Sequence, residues 1–448
     1  MHCPELHLLP PPPPGKTGWP WTKESHFCQK NEITEQWPRI TIVTPSFNQG
    51  QFLEETIRSI LLQGYSNLEY IIIDGGSSDN SIEIIRKYNQ WIAYWVSEPD
   101  RGQTEAINKG FKMATGDILA WLNSDDVYMQ NALKKIGKSF LAYPKVDIVY
   151  GGTIFVSENG ALIKKVKIFP FNRYNLFIRN IIPQPSTFFR KRLFDETGPL
   201  NETLQLCFDV EFWRKAAIKT NFRFINDFIS FFRFYANSKS AYHSLKMKKE
   251  DTEVTVDILE KIHHNDIRFK QILRFRYLQL AILCWKTGES DTKIKYYVFK
   301  ASIDEDLFIN YYIQQLISAF TDITYLDVDA INRNYTTILK NDVTAFFNSY
   351  FRQYLPTSSE KYLSYLTSHC YLTCFVKKYD FYFLFKGIIE SPRYFFYFLF
   401  QAIGEILLSL SPMFFNIAFF FHFDFHLSKL KKIGHSEDNE RKAPDVQR

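Results

Sequence analysis

The sequence predicts an α/β fold in which a mainly parallel sheet is flanked by helices, followed by an α-helical, aromatic-rich C-terminal region. From residue 40, short apolar runs alternate with segments whose apolar residues recur at helical spacing. That alternation is typical of βαβ units, which build parallel sheets. Beyond about residue 245 the pattern becomes helical and amphipathic. Phenylalanine, with 43 residues in a chain of 448, then accumulates toward the C-terminus, which suggests contact with a membrane.

Five strands are predicted in the N-terminal half, because each is a short apolar run bounded by polar or turn-forming residues. Amphipathic stretches predict helices at 52–62, 81–88, 209–219 and 246–264, and Asn48 and Asp79 are candidate N-cap residues for the first two. The strands are expected at 40–44, 68–73, 93–96, 118–122 and 147–150.

Changes in composition divide the chain into five parts. A proline-rich N-terminal arm is predicted for residues 1–38, and the α/β domain for residues 39–245. A helical region over 246–378 precedes an aromatic-rich segment over 379–432 and a polar tail over 433–448.

The aromatic-rich segment leaves two interpretations open. A transmembrane span needs about 20 apolar residues, and Gln401, Glu405 and Pro412 interrupt this run. An interfacial helical hairpin with a lysine-rich flank over 429–432 is one interpretation. An aromatic-rich helical core is the other.

Charge and cysteine content limit the partners. The net charge of +6 is mild for this length and the basic residues are dispersed, which argues against nucleic-acid binding. Six scattered cysteines and the lack of an apolar N-terminal leader make a disulfide framework improbable. We therefore expect a cytoplasmic protein at the inner face of the cell membrane.

Asp125 and Asp126 are the most informative pair of residues. They follow the apolar run 118–122, so they are expected at the carboxyl end of a buried strand, where open α/β sheets bind ligands. Adjacent carboxylates repel, and a divalent cation or a hydrogen-bonded ribose relieves that repulsion. The pair indicates a metal-dependent site for an anionic nucleotide, unless it only forms a solvated turn before the next helix.

Further acids follow other predicted elements. Asp74 follows the strand 68–73, Asp100 lies in the loop 97–103, and Asp209 begins a helix. Each alone is commonly a cap or turn residue. Together, at one edge of a parallel sheet, they indicate a site.

Five stretches, 41–48, 73–79, 97–102, 116–126 and 208–211, together resemble family 2 of the glycosyltransferases. Its members are inverting enzymes that have the GT-A nucleotide-sugar-binding fold and use nucleotide-sugar donors. The resemblance covers residues 39–240, about half of the chain. It implies that the domain over 39–245 is a GT-A glycosyltransferase domain.

The resemblance implies a role for each matching residue in binding the donor. Pro45 and Asn48 would lie under the nucleotide, and Asp74 would hydrogen-bond the base. Asp125 would lie near the ribose, and Asp126 would hold Mn²⁺ or Mg²⁺ against the diphosphate.

Other matching positions imply the chemistry and further contacts. Asp209 would be the general base that deprotonates the acceptor hydroxyl, with Glu211 as the second candidate. Additional donor contacts are expected from Asp100, Arg101 and Gln103. The stretch 184–186 (Gln184, Pro185, Ser186) would contact acceptor or donor sugar.

The chain departs from the family pattern at three positions. Phe208 stands where many relatives have an acid, Asn123 replaces a common acid, and Tyr235 replaces a common histidine. Arg233, nearby, would either pair with phosphate or form a salt bridge in the domain wall.

The predicted function is therefore metal-assisted, inverting sugar transfer. The donor would be a nucleotide sugar, and the acceptor a hydroxyl of a polysaccharide or lipid-linked oligosaccharide in polysaccharide biosynthesis. Peripheral membrane contact is expected through the aromatic-rich segment. The alternative is a non-catalytic binding or scaffold protein with a decayed glycosyltransferase domain.

Overall fold

The computed structural model describes residues 3–25, 37–166, 170–235, 238, 244–262 and 266–301, together with positions 342, 345, 346, 349 and 350. The chain forms two compact units, Met1–Thr287 with Phe299–Ala301, and Gly288–Val298 with Ser302–Arg448. The predicted segments 379–432 and 433–448 lie outside the described residues, as does most of 302–378. The five domain bounds expected from the sequence stay a prediction.

Four parallel strands form the first half of the sheet. They are β1 (Ile40–Ser46), β2 (Leu68–Asp74), β3 (Tyr94–Ser97) and β4 (Ile118–Trp121), in the order β3-β2-β1-β4. Every residue of β1, β2 and β4 is buried. Continuous apolar runs therefore mark strands that are covered on both faces, as the sequence predicted.

Antiparallel pairing enters in the second half of the sheet. Its strands are β5 (Val127–Tyr128), β6 (Ile148–Val156), β7 (Leu162–Lys165), β8 (Thr187–Arg190) and β9 (Phe222–Arg233). Strand β8 lies antiparallel between β4 and β6, while β9 runs parallel to β6 and antiparallel to β5. The α/β fold class is confirmed. The parallel arrangement holds for β1 to β4, and the complete sheet is mixed.

Helices cover both faces of the sheet, and the alternation of side chains along each strand divides the core in two. Val43 and Leu119 belong to one core and Ile42 and Ile118 to the other. In the described part of the chain, the helices of both units are α1 (Gly50–Leu61), α2 (Ser81–Lys87), α3 (Gln103–Met113), α4 (Ala132–Ala142), α5 (Arg173–Ile178), α6 (Lys191–Thr197), α7 (Phe208–Lys219), α8 (Ser244–Lys261), α9 (Ile267–Lys286) and α10 (Asp291–Ala301), and α10 lies mostly in the second unit. Within the described part of the chain, no helix combines the length and the apolar character needed to cross a bilayer.

Each of the first two helices begins one residue later than its predicted N-cap residue would place it. Their N-cap residues are Gln49 and Asn80, so the predicted caps Asn48 and Asp79 are wrong by one position. Asp79 still binds both helix starts, because its carboxylate accepts the N–H of Gly50 at 2.8 Å and of Ser81 at 3.0 Å. One carboxylate thus joins the two loops that follow β1 and β2.

The described N-terminal residues 3–25 pack against α1. Arg58 of α1 is fully buried, and its guanidinium donates hydrogen bonds to the carbonyl oxygens of Pro10, Pro20 and Trp21. A buried cation needs such acceptors to offset its lost hydration. The proline-rich segment therefore provides acceptors for a charge that lies inside the domain.

Candidate functional site

A cavity of about 510 Å³ opens at the carboxyl ends of β1 and β4. Its walls come from the loop after β1, the loop after β4 and the start of α7, with further residues from β9 and α8. This is the edge at which open α/β sheets bind ligands. Of the predicted site residues, Pro45, Asp100, Gln103, Asp125 and Asp209 line the cavity, whereas Asn48, Asp74, Arg101, Asp126 and Glu211 do not.

The two adjacent carboxylates after β4 have different surroundings. Asp125 lines the cavity, and its Oδ2 accepts a hydrogen bond of 3.1 Å from the hydroxyl of Tyr235. Asp126 is buried, and its Oδ1 accepts the backbone N–H of Arg233 at 3.0 Å. Burial, and then the charge of Asp125, raise the pKa of Asp126 well above its ordinary value. The predicted metal role of Asp126 stays a prediction, and Asp125 is the carboxylate that faces the cavity.

Arg233 forms a salt bridge within the domain wall. Its guanidinium donates to the backbone oxygens of Asp125 and Glu158 and to the carboxylate of Glu55 at 3.0 Å. It also lies over the ring of Phe52, 4.6 Å from the centroid. The salt bridge that the sequence left open is present, and because Arg233 also lines the cavity, the phosphate contact stays a prediction.

Three carboxamides form a row along the cavity. The Gln103 side chain donates to Asn123 Oδ1 at 2.6 Å, and Asn123 donates to Gln184 Oε1 at 3.3 Å. Gln184 in turn donates to the carbonyl oxygen of Trp121 at 2.8 Å. Each amide is thereby fixed by its neighbour. Asn123, which stands where relatives commonly have an acid, is the centre of this row.

The other two members of the predicted stretch 184–186 are buried outside the cavity. The hydroxyl of Ser186 forms a hydrogen-bonded cluster with those of Thr153 and Ser230. Pro185 belongs to a 3-10 turn that leads into β8. Gln184 is therefore the member of this stretch that a ligand would contact.

Asp74 and Asn48 shape the loops beside the cavity. Asp74 is fully buried, and its carboxylate accepts hydrogen bonds from the N–H and hydroxyl of Ser77 and from the hydroxyl of Ser97. Asn48 adopts φ 51° and accepts the N–H of Ser78 at 2.9 Å. Both side chains are occupied in holding the loops that border the site.

The predicted donor contacts in the loop 97–103 divide between two surfaces. Asp100 lines the cavity and accepts the N–H of Gly102 at 2.8 Å. Arg101 is exposed and forms ion pairs with Glu105 and Glu202. The loop therefore presents Asp100 to the cavity while Arg101 pairs with acids away from the cavity lining.

At the start of α7, the two candidate bases have different environments. Asp209 is half-buried and lines the cavity, and burial raises the pKa of its carboxyl to about 6. The carboxylate of Glu211 is buried away from the cavity, forms an ion pair with Lys215 at 2.9 Å and accepts a hydrogen bond from Asn201 at 3.2 Å. Residues two apart on a helix lie about 200° around its axis, so the two carboxylates face different sides.

Several lining residues were missed by the sequence reasoning. Trp121 ends β4, borders the cavity and stacks on Trp213, with ring centroids 5.6 Å apart. Trp121 could have been predicted from the apolar run 118–122, because the last residues of that run reach the edge of the sheet where the cavity lies. Leu206 and Met247 come from separate parts of the chain, and no local pattern brings them together.

Comparison with known proteins agrees with this architecture. The sequence model of the family described as "Glycosyl transferase family 2" matches residues 41–198, from β1 to the end of α6. This region is a family 2 glycosyltransferase domain. The match ends before α7, so Asp209 and the helices that follow lie beyond the matched residues of the glycosyltransferase domain.

Curated relatives are described as glycosyltransferases. An uncharacterized glycosyltransferase of Rickettsia felis is 30% identical over 191 residues, covering 40% of this chain and 31% of that protein. An uncharacterized glycosyltransferase of Mycobacterium tuberculosis is 29% identical over 185 residues, covering 40% of this chain and 70% of that protein. The chain thus spans about a third of the length of the Rickettsia felis relative.

Among solved structures, the chain matches Staphylococcus aureus TarS 1-349 in complex with UDP-GlcNAc. It is 15% identical, with a TM-score of 0.45, and the match covers 64% of this chain and 81% of that one.

The cavity lining includes carboxylate and amide oxygens of the kind that bind divalent cations. Among the residues that the structure describes, no three acidic, histidine or cysteine side chains cluster into a metal site. Asp125 and the amide of Asn123 both border the cavity. Mg²⁺ is commonly held by one or two carboxylates together with substrate phosphates and water. The side chains present therefore fit a cation that a diphosphate helps to bind.

Proposed function

We propose that the domain is an inverting glycosyltransferase that moves a sugar from a nucleotide-sugar donor to a hydroxyl of a polysaccharide or lipid-linked oligosaccharide. The observation that carries the proposal is that Asp125 and Asp209 line one cavity. They come from separate elements, the loop after β4 and the start of α7. Asp125 is thus available to the donor and Asp209 to the acceptor.

Unpartnered polar atoms support a donor site beside β1. Ser46 lines the cavity, and its buried hydroxyl has no hydrogen-bond partner among the described residues. The buried Oε1 of Gln49, also in the lining, has none either in that part of the chain. Buried polar groups in folded proteins are almost always satisfied, so such atoms suit a polar ligand. A nucleotide with its ribose and diphosphate supplies that kind of partner.

The position of Asp209 suits a general base. Its carboxylate would take the proton of the acceptor hydroxyl while the acceptor oxygen attacks the anomeric carbon. The bond from that carbon to the diphosphate oxygen breaks on the opposite face, so the nucleoside diphosphate leaves with the bonding electron pair and the configuration inverts. A pKa of about 6 leaves Asp209 ionised at neutral pH and still basic enough to accept a proton.

A divalent cation would be held by Asp125 with Asn123 beside it. When bound, it would neutralise charge on the departing diphosphate. The carboxamide row from Gln103 to Gln184 would then orient donor hydroxyls through fixed N–H and C=O groups. Tyr235 would keep the Asp125 carboxylate directed by its hydrogen bond.

We also place the protein at the cytoplasmic face of the cell membrane, on the strength of the aromatic segment 379–432 and its lysine-rich flank. Removing residues 379–448 should release the protein from sedimented membranes. Continued sedimentation of the truncated chain with membranes would contradict the proposed membrane contact. It would not bear on the transfer activity, which is tested separately.

Melting curves with UDP, GDP, CDP and dTDP, each with and without Mn²⁺, test the donor site. A ligand at a hundred times its dissociation constant adds about 2.7 kcal/mol to the free energy of unfolding. We expect one nucleotide to raise the melting temperature in the presence of metal. The Asp125→Ala variant should fold normally and lose this shift, and Asp195→Ala, an exposed acid paired with Lys191, should keep it.

The same curves separate the two adjacent acids. The Asp126→Ala variant removes the acceptor of the Arg233 N–H and should melt at a lower temperature even without nucleotide. Transfer is then measured as release of the nucleoside diphosphate from the matching sugar donor, and Asp209→Asn should abolish it while nucleotide binding persists. No melting shift with any nucleotide would instead favour a scaffold with a decayed site.

A further inference from the structure

The segment that leads into α7 is bound by one turn of α8. Oε1 of Glu250 accepts the backbone N–H of Leu206 and of Cys207, both at 2.8 Å. The thiol of Cys207 donates to the carbonyl oxygen of Met247 at 3.4 Å. Leu206 and Met247 both line the cavity, so these bonds connect the two sides of one wall.

Glu250 binds the chain directly before the start of α7. The first amides of a helix have no partners within the helix, and a side chain at the N-cap normally accepts one of them. The N-cap of α7 is Cys207, and its side chain makes no capping hydrogen bond. Glu250 binds the amide of this N-cap residue and the amide of the residue before it, and its negative charge suits the positive end of the helix dipole.

A buried ion-pair cluster fixes the same two helices about two turns further along α7. Asp251 of α8 forms ion pairs with Arg214 of α7 at 2.7 Å and with Arg276 of α9 at 2.9 Å. Both guanidinium groups are completely buried. Helix α7 is therefore held by α8 directly before its first residue through Glu250 and in its interior through Asp251.

We infer that Glu250 is a positioning residue for sugar transfer, because its bonds to Leu206 and Cys207 hold Asp209 at the cavity wall. The inference rests on the proposed function, in which Asp209 is the base. Both Glu250 and Asp209 lie beyond the residues 41–198 that match the family. The catalytic unit of this chain therefore extends into α8.

The pKa of Asp209 offers one way to measure the positioning role of Glu250. Arg214 from its own helix and Asp251 from α8 are the charged groups that act on it, with opposite effects on its pKa, and burial is the largest effect. Release of the segment 205–209 would hydrate the carboxylate. The acidic limb of the rate profile would then move to lower pH.

The test compares Glu250→Ala with Glu250→Gln in the full chain. The matched control is Asp257→Ala, an exposed acid on α8 that pairs with Lys261. Displacement of a reacting group by about 1 Å lowers rates roughly a hundredfold, so we expect a kcat for Glu250→Ala that is about a hundredfold lower, with a nearly unchanged KM for the donor. Glu250→Gln keeps an acceptor oxygen and should restore most of the rate. A kcat for Glu250→Ala equal to that of Asp257→Ala would overturn the inference.

Alkylation of Cys207 gives a measurement that does not depend on turnover. Cys207 is 1% exposed, and burial raises the pKa of its thiol, so iodoacetamide should modify it slowly. Mass spectrometry should find at least tenfold faster modification in Glu250→Ala, and near-native rates in Glu250→Gln and Asp257→Ala. Unchanged alkylation in Glu250→Ala would overturn the inference. If the native chain transfers no sugar but Glu250→Ala still speeds the alkylation of Cys207, the proposed function is wrong. The conclusion that Glu250 fixes the segment before α7 would then still hold.

Discussion

The hydroxyl of Tyr235 donates a hydrogen bond of 3.1 Å to Oδ2 of Asp125, the carboxylate that borders the cavity. The ring of Tyr235 packs on Phe52, with centroids 5.3 Å apart. Burial, followed by the charge of Asp125, raises the pKa of Tyr235 to about 12. The phenol therefore keeps its proton at every ordinary working pH and orients Asp125 without neutralising it.

Removing the hydroxyl of Tyr235 should leave the carboxylate of Asp125 less firmly oriented. We expect Tyr235→Phe to lower the free energy of unfolding by about 1 kcal/mol, the usual net value of one hydrogen bond. Metal-dependent nucleotide binding should weaken by less than about tenfold, because Asp125 itself remains. Urea unfolding and calorimetric titration measure the two effects, with Tyr143→Phe as the control for an exposed tyrosine. Nucleotide binding as weak as in Asp125→Ala would show that the phenol itself contacts the ligand.

The rate of transfer should depend on pH through Asp209. A general base works as the carboxylate, and the pKa of Asp209 is raised to about 6. Below pH 6 the rate should therefore fall about tenfold per pH unit, and above pH 6 it should reach a plateau. Initial rates between pH 4.5 and 8 test this at saturating donor. A plateau that continues down to pH 4.5 would mean that a different group accepts the proton.

The same raised pKa carries a stability cost. The unfolded carboxyl has a pKa near 4, so the folded state binds the proton more tightly, and ionisation above pH 6 costs about 1–3 kcal/mol. The Asp209→Asn variant has no charge to bury, and should be more stable than the native protein at pH 8 and equally stable near pH 4. Urea unfolding at the two pH values measures the difference, and Asp195→Asn is the exposed control. Equal stability at pH 8 would argue against burial of the charge.

The strands and the acidic edge could be predicted from the sequence because they depend on local patterns. Apolar runs located β1, β2 and β4, and the residues after β4 reach the cavity as expected. Which of two adjacent carboxylates faces the cavity could not be predicted. Asp126 is held inside by the N–H of Arg233, a residue 107 positions later that the pairing of β5 with β9 brings close.

Glu211 illustrates a signal that the sequence did contain. A helix beginning near residue 208 places positions 209 and 211 about 200° apart, so both cannot face one cavity. By contrast, the contribution of Met247 and Glu250 to the site depends on how α8 packs against α7. That packing joins segments about 40 residues apart and has no local pattern.

Loss of the Asp251 carboxylate from the ion-pair cluster should lower the free energy of unfolding of the domain. Burial alone would raise the pKa of Asp251, but the charges of Arg214 and Arg276 outweigh it and hold the pKa well below its usual range. The stability from this pairing is present above pH 4, the pKa of an unfolded aspartate, and is lost as the pH falls below it. Asp251→Asn leaves two buried guanidinium groups without their counter-charge, which costs about 3–5 kcal/mol.

Urea unfolding at pH 7 measures that loss, with Asp257→Asn on the exposed side of the same helix as the control. The difference between the native protein and Asp251→Asn should be large at pH 7 and should shrink only under strongly acidic conditions, because the folded pKa is depressed. A difference that already disappears at pH 5 would mean that the carboxylate of Asp251 is protonated there, and that the two arginines are held by their backbone acceptors instead. Those acceptors are the carbonyl oxygens of Leu176, at 3.0 Å from Arg214, of Phe177, at 2.9 Å from Arg276, and of Asp251 itself, at 3.1 Å from Arg214.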